Sequence, residues 1–271
     1  MARLHIFKKM AIRDEYPRLP WGGHTLKGAV DNINVLKYLI ENKCPVDVRA
    51  CAEAAKQGKY GALKFLLFSG LPKDIRVCRF AAGNQDLKML TLARKFGCPW
   101  SSVVCATAAK TGNLAILRWA RENGCNWDDK TYEWAVSEGH INVLEYADAK
   151  NCPRSTTACR KAGEKGRVDV LEWLHTKGFP WDKETCSRAA QNGHLSALKY
   201  AHDNGCEWDE TACALAARNG HLEILKYLRI NGCPWDYRVC ENARERFHKD
   251  VFTYATLNGC SQKKGSARQL R

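Results

Sequence analysis

The sequence predicts an all-α solenoid of about nine short helix-turn-helix units, and three observations carry that prediction. First, a glycine recurs every 27 residues, at Gly112, Gly139, Gly166, Gly193 and Gly220; Gly58 fills the same slot, as do Asp31, Gln85 and Phe247 in weaker copies. No insertion or deletion breaks the register between residues 31 and 260. A fixed period of this length marks units that bury their apolar faces only by stacking on one another. Second, the slot of Leu225 is leucine in eight copies and Phe252 in the last, as a helix core position demands. Third, one slot is alanine in all eight copies from Ala54 to Ala243, which lets neighbouring helices approach closely.

Taken in order, residues 1–20 stand outside the repeat, and Pro17 and Pro20 interrupt any helix there. They read as an N-terminal arm or cap. A damaged half-unit follows from Trp21, with Ala29 and Val30 where later copies have an alanine pair, and it covers the open end of the first full unit. In a full unit the second helix follows the head glycine, as in His221 to Ile230, where Leu222, Leu225 and Leu228 are spaced three apart. It ends at Asn-Gly or Lys-Gly, for instance at Gly124, Gly178, Gly205 and Gly232, because glycine tolerates the left-handed C-cap. A linker comes next, in its fullest form Cys233-Pro234-Trp235-Asp236. Its last slot is Asp or Ser in all eight copies, and either residue caps the N-terminus of the next first helix, such as Glu210 to Arg218. With units about 10 Å apart, residues 21–260 are expected to form one rod on the order of 80–90 Å long, followed by a basic, flexible tail at 261–271.

The 14 cysteines all fall in two slots seven residues apart, where Leu71, Phe179 and Tyr132 replace them in other copies. The slots therefore want an apolar side chain, which a free cysteine provides. No Cys-x-x-Cys pair suggests structural zinc, so no metal is expected. The expected setting is cytoplasmic or nuclear, with reduced thiols, since the basic N-terminus lacks the apolar run of a signal peptide. No apolar stretch is long enough to span a membrane. The net charge of +14 is uneven. Residues 1–135 carry a net +10, residues 136–261 balance, and the last ten residues add +4.

Paired helices, an Ala-Ala pair and Gly-His-Leu-x-x-Leu-x-x-Leu resemble the ankyrin repeat across about residues 21–260. Each unit is about six residues shorter than the usual ankyrin period of 33, and the Thr-Pro-Leu-His opening is absent. The pattern is similar to the short ankyrin-type repeats of giant viruses and some oomycetes, algae and amoebae. The resemblance implies that the β-hairpin finger is missing and replaced by the Cys-Pro-Trp-Asp linker. It also implies a non-catalytic scaffold that binds another protein along an extended surface.

Invariant slots of a solenoid build its core, so function is sought where copies differ. The first helices offer Arg49, Arg76, Arg79, Phe80, Lys130 and Trp134 as partner-binding residues. Phe80 and Trp134 are aromatic where other copies are polar, and aromatic and arginine residues dominate interface hot spots. Local compensation for irregular neighbours such as Tyr132 is the structural alternative. An acidic protein is the expected partner of this basic half, and the chain is expected to be a monomer. The alternative function is nucleic-acid binding through Lys37, Lys64, Lys88 and Arg118, with Trp100 and Trp127 stacking bases. Against it, these tryptophans serve equally to cover the edges between units in place of the finger. A third reading is a structural array that self-associates through its ends. His140, His194 and His221 follow the head glycine in register, which predicts a local backbone hydrogen bond and not catalysis. No nucleophile motif, phosphate loop or metal box occurs, so neither an enzyme nor a cofactor is expected.

Overall fold

A computed structural model describes residues 25–45 and 47–260, so the arm at 1–20, the start of the half-unit and the tail at 261–271 lie outside the described residues. The described residues form eighteen helices and no strand, as expected for a finger-less repeat. The first helices are α1 (Thr25–Gly28), α3 (Ala50–Lys56), α5 (Ile75–Gly83), α7 (Val103–Lys110), α9 (Asp129–Glu138), α11 (Ala158–Lys165), α13 (Lys183–Gln191), α15 (Glu210–Arg218) and α17 (Tyr237–Glu245). The second helices are α2 (Ile33–Glu41), α4 (Tyr60–Phe68), α6 (Leu87–Lys95), α8 (Leu114–Glu122), α10 (Ile141–Ala149), α12 (Val168–Thr176), α14 (Leu195–Asp203), α16 (Leu222–Ile230) and α18 (Lys249–Leu257). The nine pairs match the sequence register. The chain divides between Trp127 and Asp128 into two compact units, although the 27-residue period runs through this point unbroken.

In the second unit the first helices pack most closely on one another; in the first unit that packing is comparable with the packing inside each helix pair, and from α4 on each second helix packs chiefly on its own first helix. The alanine slot explains the asymmetry. Ala81, Ala108, Ala189 and Ala216 are fully buried, with only a methyl group between facing backbones. The approach is also close one position on, at Gly163, where an added Cβ would lie 2.6 Å from the Thr185 carbonyl oxygen. The second helices contribute larger fully buried side chains, among them Leu63, Leu90, Leu117, Leu144 and Leu171.

Capping follows the sequence with one exception. Asp74, Asp128, Asp182, Asp209 and Asp236 each accept the backbone N–H two residues on, at the start of the next helix. Asp47 and Ser155 accept the same bond from Arg49 and Thr157, one turn ahead of α3 and α11. At Ser101 a backbone bond from Val104 to the Ser101 carbonyl, 3.0 Å, makes the turn. At the opposite ends, Gly124 and Gly232 both take φ of 81°. Gln85 and Phe247 adopt the same left-handed conformation in the head-glycine slot, at φ of 58° and 62°.

All 14 cysteines are buried, with free thiols. Burial pushes the thiols of Cys51, Cys78 and Cys159 up to about 12, which keeps them protonated. The thiols are also donors. Cys125, Cys206, Cys233 and Cys260 each reach the carbonyl of the capping residue 24 positions earlier, at 3.2–3.3 Å. A thiol thus ties each of these linkers to the one before it, a contact that a purely apolar reading of the slot misses.

The head histidines also bond, but not locally. Nε2 of His221 donates to the Gln191 carbonyl and Nε2 of His248 to the Arg218 carbonyl, both at 3.1 Å and 30 residues back. Each ring lies across the head glycine of the preceding repeat. A Cβ on Gly220 would come within 2.7 Å of the His248 ring, so the slot needs glycine for space as well as for backbone angle. The expected local bond is therefore an inter-repeat lock: the helix C-terminus that needs a donor belongs to the repeat before.

Candidate protein-docking surfaces

The predicted site residues fall in both units. Arg49, Arg76, Arg79 and Phe80 belong to the first unit, and Lys130 and Trp134 to the second. In the first unit, two of the arginines are held by their own helix caps. Arg49 Nε lies 3.1 Å from Asp47 Oδ1. Arg76 grips Asp74 with two nitrogens, Nε at 2.9 Å and an η nitrogen at 2.5 Å. That hydrogen bond holds the Asp74 carboxyl below its usual range and raises the Arg76 guanidinium. Arg79 is exposed and makes no ion pair among the described residues, its guanidinium lying 4.8 Å over the half-buried Phe80 ring. In the second unit Lys130 is exposed, and Trp134 keeps 38% of its surface open on the outer side of α9.

The tryptophan ladder has a different environment from the one base stacking needs. Arg94 covers the Trp100 ring at 4.1 Å and Arg121 covers Trp127 at 4.3 Å, from six positions earlier in each case. The same arginines donate to the carbonyls of Cys98 and Cys125, closing the turn after the second helix. Arg229 repeats the arrangement on Trp235 and Cys233. His175 and His202 replace the arginine and stack on Trp181 and Trp208, with ring centres 4.5 and 3.5 Å apart. An aromatic of the next repeat then meets the indole edge-on, as Trp119 meets Trp100 at 6.0 Å and Tyr227 meets Trp208 at 6.1 Å. Each indole is a wedge inside a clamp, which favours its structural role as an edge cover.

One repeat inverts the clamp. Arg154 occupies the tryptophan slot and Asp148 the arginine slot, and the two form an ion pair at 2.7 Å. Arg154 also lies 4.6 Å over Phe179, which joins Tyr132 and Trp173 in an aromatic cluster. Tyr132 is fully buried there, so it departs from the cysteine rule to fill a core. Sequence reasoning missed the clamp residues. Their signal is an arginine or histidine six positions before each linker tryptophan, changing to aspartate where the tryptophan becomes arginine.

The four predicted nucleic-acid cations, Lys37, Lys64, Lys88 and Arg118, are all exposed on second helices of the first unit. Lys37, Lys64 and Lys88 form no ion pair among the described residues, although Lys88 lies 5.1 Å over the Tyr60 ring. A shallow cavity of about 330 Å³ opens between α6 and α8, lined by Thr91, Arg94, Lys95, Trp119 and Asn123. Among the described residues no three His, Cys, Asp or Glu side chains group as metal ligands, and no helix is long and apolar enough to cross a membrane.

Residues 186–229, from α13 to α16, match the family model for ankyrin repeats (many copies). Among solved structures the chain is similar to the human ASB11 ankyrin repeat domain, at 16% identity and a TM-score of 0.49 over 59% of this chain and 85% of that one. No curated protein sequence matches the chain.

Proposed function

We propose that this array of ankyrin-type repeats is a protein-docking scaffold that works without catalysis, through the outer surface of its first helices. Ankyrin repeats generally mediate protein–protein interaction, and their fold is typically non-catalytic. The observation that carries the reading is the contrast between slots. Core-facing positions barely change along the chain, while one outward slot runs through Glu53, Phe80, Thr107, Trp134, Lys161 and Arg188. A surface that is freely varied on a fixed core is suited to recognition. In the first unit Arg79 and Phe80 form the anchor, a cation beside an apolar ring, and an acidic protein surface with an apolar contact is the partner they fit. Arg49 and Arg76 contribute less, because their charge is spent on Asp47 and Asp74. Lys130 and Trp134, four residues apart on α9, are the counterpart residues in the second unit.

The experiment is capture from cell lysate with the full chain as bait, comparing wild type with R79E and F80S and splitting each sample into nuclease-treated and untreated halves. A protein band that survives nuclease and falls at least several-fold with both substitutions supports docking at α5, in line with the usual weight of hot-spot residues. Bands that vanish with nuclease favour the nucleic-acid alternative. A surviving band indifferent to both substitutions removes α5 as the docking site.

A further inference from the structure

Two second helices, α10 and α12, break the charge rule of their neighbours: the slot that is lysine at Lys37 and Lys64, and lysine again at Lys199 and Lys226 on α14 and α16, turns acidic there. In the first unit, α2, α4, α6 and α8 carry Lys37, Lys64, Lys88, Arg94, Lys95, Arg118 and Arg121 against only Glu41 and Glu122. In the second unit α10 and α12 carry Glu145, Asp148, Asp169 and Glu172, with neither lysine nor arginine. The match is positional as well as numerical. Glu145 and Glu172 occupy the repeat slot that holds Lys37 and Lys64, and Asp169 the slot that holds Lys88. Two surfaces built on one repeat spacing thus present the same positions with opposite sign.

These charges are available. Lys37, Lys64, Lys88, Glu145, Asp169 and Glu172 are all exposed, and none forms an ion pair among the described residues. First-helix charges behave differently, since Arg49, Arg76, Arg160 and Arg238 are each paired with a linker aspartate. One helical turn on from Lys64, whose Nζ lies 5.9 Å over its ring, Phe68 keeps 65% of its surface open and meets Phe96 edge-on. A cationic face with an exposed ring is an incomplete surface, and its counterpart exists on the same polypeptide.

We propose that the chain associates with a second copy of itself, the basic second-helix face of one copy docking on the acidic α10–α12 face of the other. Complementary charge sets the register and speeds encounter, and Phe68 supplies apolar burial that exposed ion pairs alone do not. Since each copy carries both faces, the contact is heterologous within a pair. The surface is separate from the first-helix face proposed above for a partner protein, so either proposal stands or falls without the other.

Sedimentation velocity of the nuclease-treated full chain tests this. At low ionic strength the wild type should show a sedimentation coefficient that rises with concentration, and roughly 0.3 M salt should weaken the association about tenfold or more by screening. The triple variant K37E/K64E/K88E and the triple variant E145K/D169K/E172K should each lose association when alone. An equimolar mixture of the two should regain it, because each then supplies the face the other lacks. Circular dichroism confirms that both variants remain folded. A wild type that stays monomeric up to about 200 µM at low salt, a range wide enough to register even the weak end of protein affinities, overturns the proposal. So do triple variants that associate like the wild type, or a mixture that fails to recover.

Discussion

Gly163→Ala should destabilise the protein, although the usual rule for a helix interior is the reverse. Alanine is favoured over glycine within a helix by about 0.8–1.0 kcal/mol. Gly163 lies inside α11, and a Cβ there would sit 2.6 Å from the Thr185 carbonyl oxygen and 3.4 Å from the carbonyl carbon and Cγ2 of the same residue. A carbon–oxygen contact needs roughly 3.2–3.3 Å, so α11 and α13 would have to part by more than half an ångström along a well-packed seam. Overpacking of this kind typically costs about 1–3 kcal/mol, which leaves a net loss of up to about 2 kcal/mol once the propensity gain is subtracted. Gly83→Ala is the matched control, because its Cβ would meet only Thr107 Cγ2 at an ordinary 3.6 Å. It should be neutral or stabilising by about 0.5 kcal/mol, the credit being reduced at the last residue of α5. Urea unfolding followed by helical circular dichroism and by tryptophan fluorescence measures both, with agreement of the two probes checking that the array unfolds cooperatively. If Gly163→Ala were as stable as Gly83→Ala, close approach of α11 and α13 would not be what requires glycine at position 163.

Two further effects follow from single groups. Thr185 is fully buried and its hydroxyl has no hydrogen-bond partner, while Val77, Val104 and Val239 fill the same slot elsewhere; Thr185→Val should therefore stabilise by about 1 kcal/mol, and an unchanged urea midpoint would contradict that. Arg76 lowers the Asp74 carboxyl, and Arg160 and Arg238 lower those of Asp182 and Asp236 against the opposing effect of partial burial. A depressed folded value means that the stabilisation is present above the unfolded aspartate value near pH 3.9 and is lost as pH falls through the folded one. The melting temperature should hold from neutral pH to about 5 and drop below about 4. The Asp74→Asn/Asp182→Asn/Asp236→Asn variant should be less stable at neutral pH but show a shallower acid limb, and parallel acid limbs would refute the assignment.

What the sequence made legible was whatever acts within one copy of the repeat. Helix starts at the aspartate caps, helix ends at Asn-Gly, and the leucine and alanine core slots depend on neighbours a few residues away, so they show in the periodicity. Contacts between copies were hidden, because a repeat places them at a constant offset that looks like simple recurrence. The histidine lock at 30 residues and the thiol bonds at 24 are invisible to a reading of one unit. Departures from the period were the more informative signal. Tyr132 and Phe179 break the cysteine rule in two separate slots, and the structure brings the two rings to 5.6 Å. The predicted anchors were harder to judge, since Arg49 and Arg76 look like free cations until their capping aspartates are seen to hold them.

The clamp shows how such a short repeat holds together. A finger of two strands would ordinarily bridge neighbouring units through backbone bonds; here a linker indole, an arginine or histidine on one face and an aromatic edge from the next repeat occupy that place. The exchange of Arg–Trp for Asp148–Arg154 is evidence that the pair is what the repeat preserves: changing one slot alone would leave either an uncovered indole or two like charges facing each other. The second-helix slots of Lys37 and Lys64 answer to a different rule. They change sign to Glu145 and Glu172 without any compensating change nearby, as positions do when no partner within their own unit constrains them. Side chains that must match inside the chain vary together, and those that vary alone answer to something outside it. On that criterion the outer faces of α4, α10 and α12 fit the proposed contact by charge, and Phe80 and Trp134 fit the proposed contact by shape.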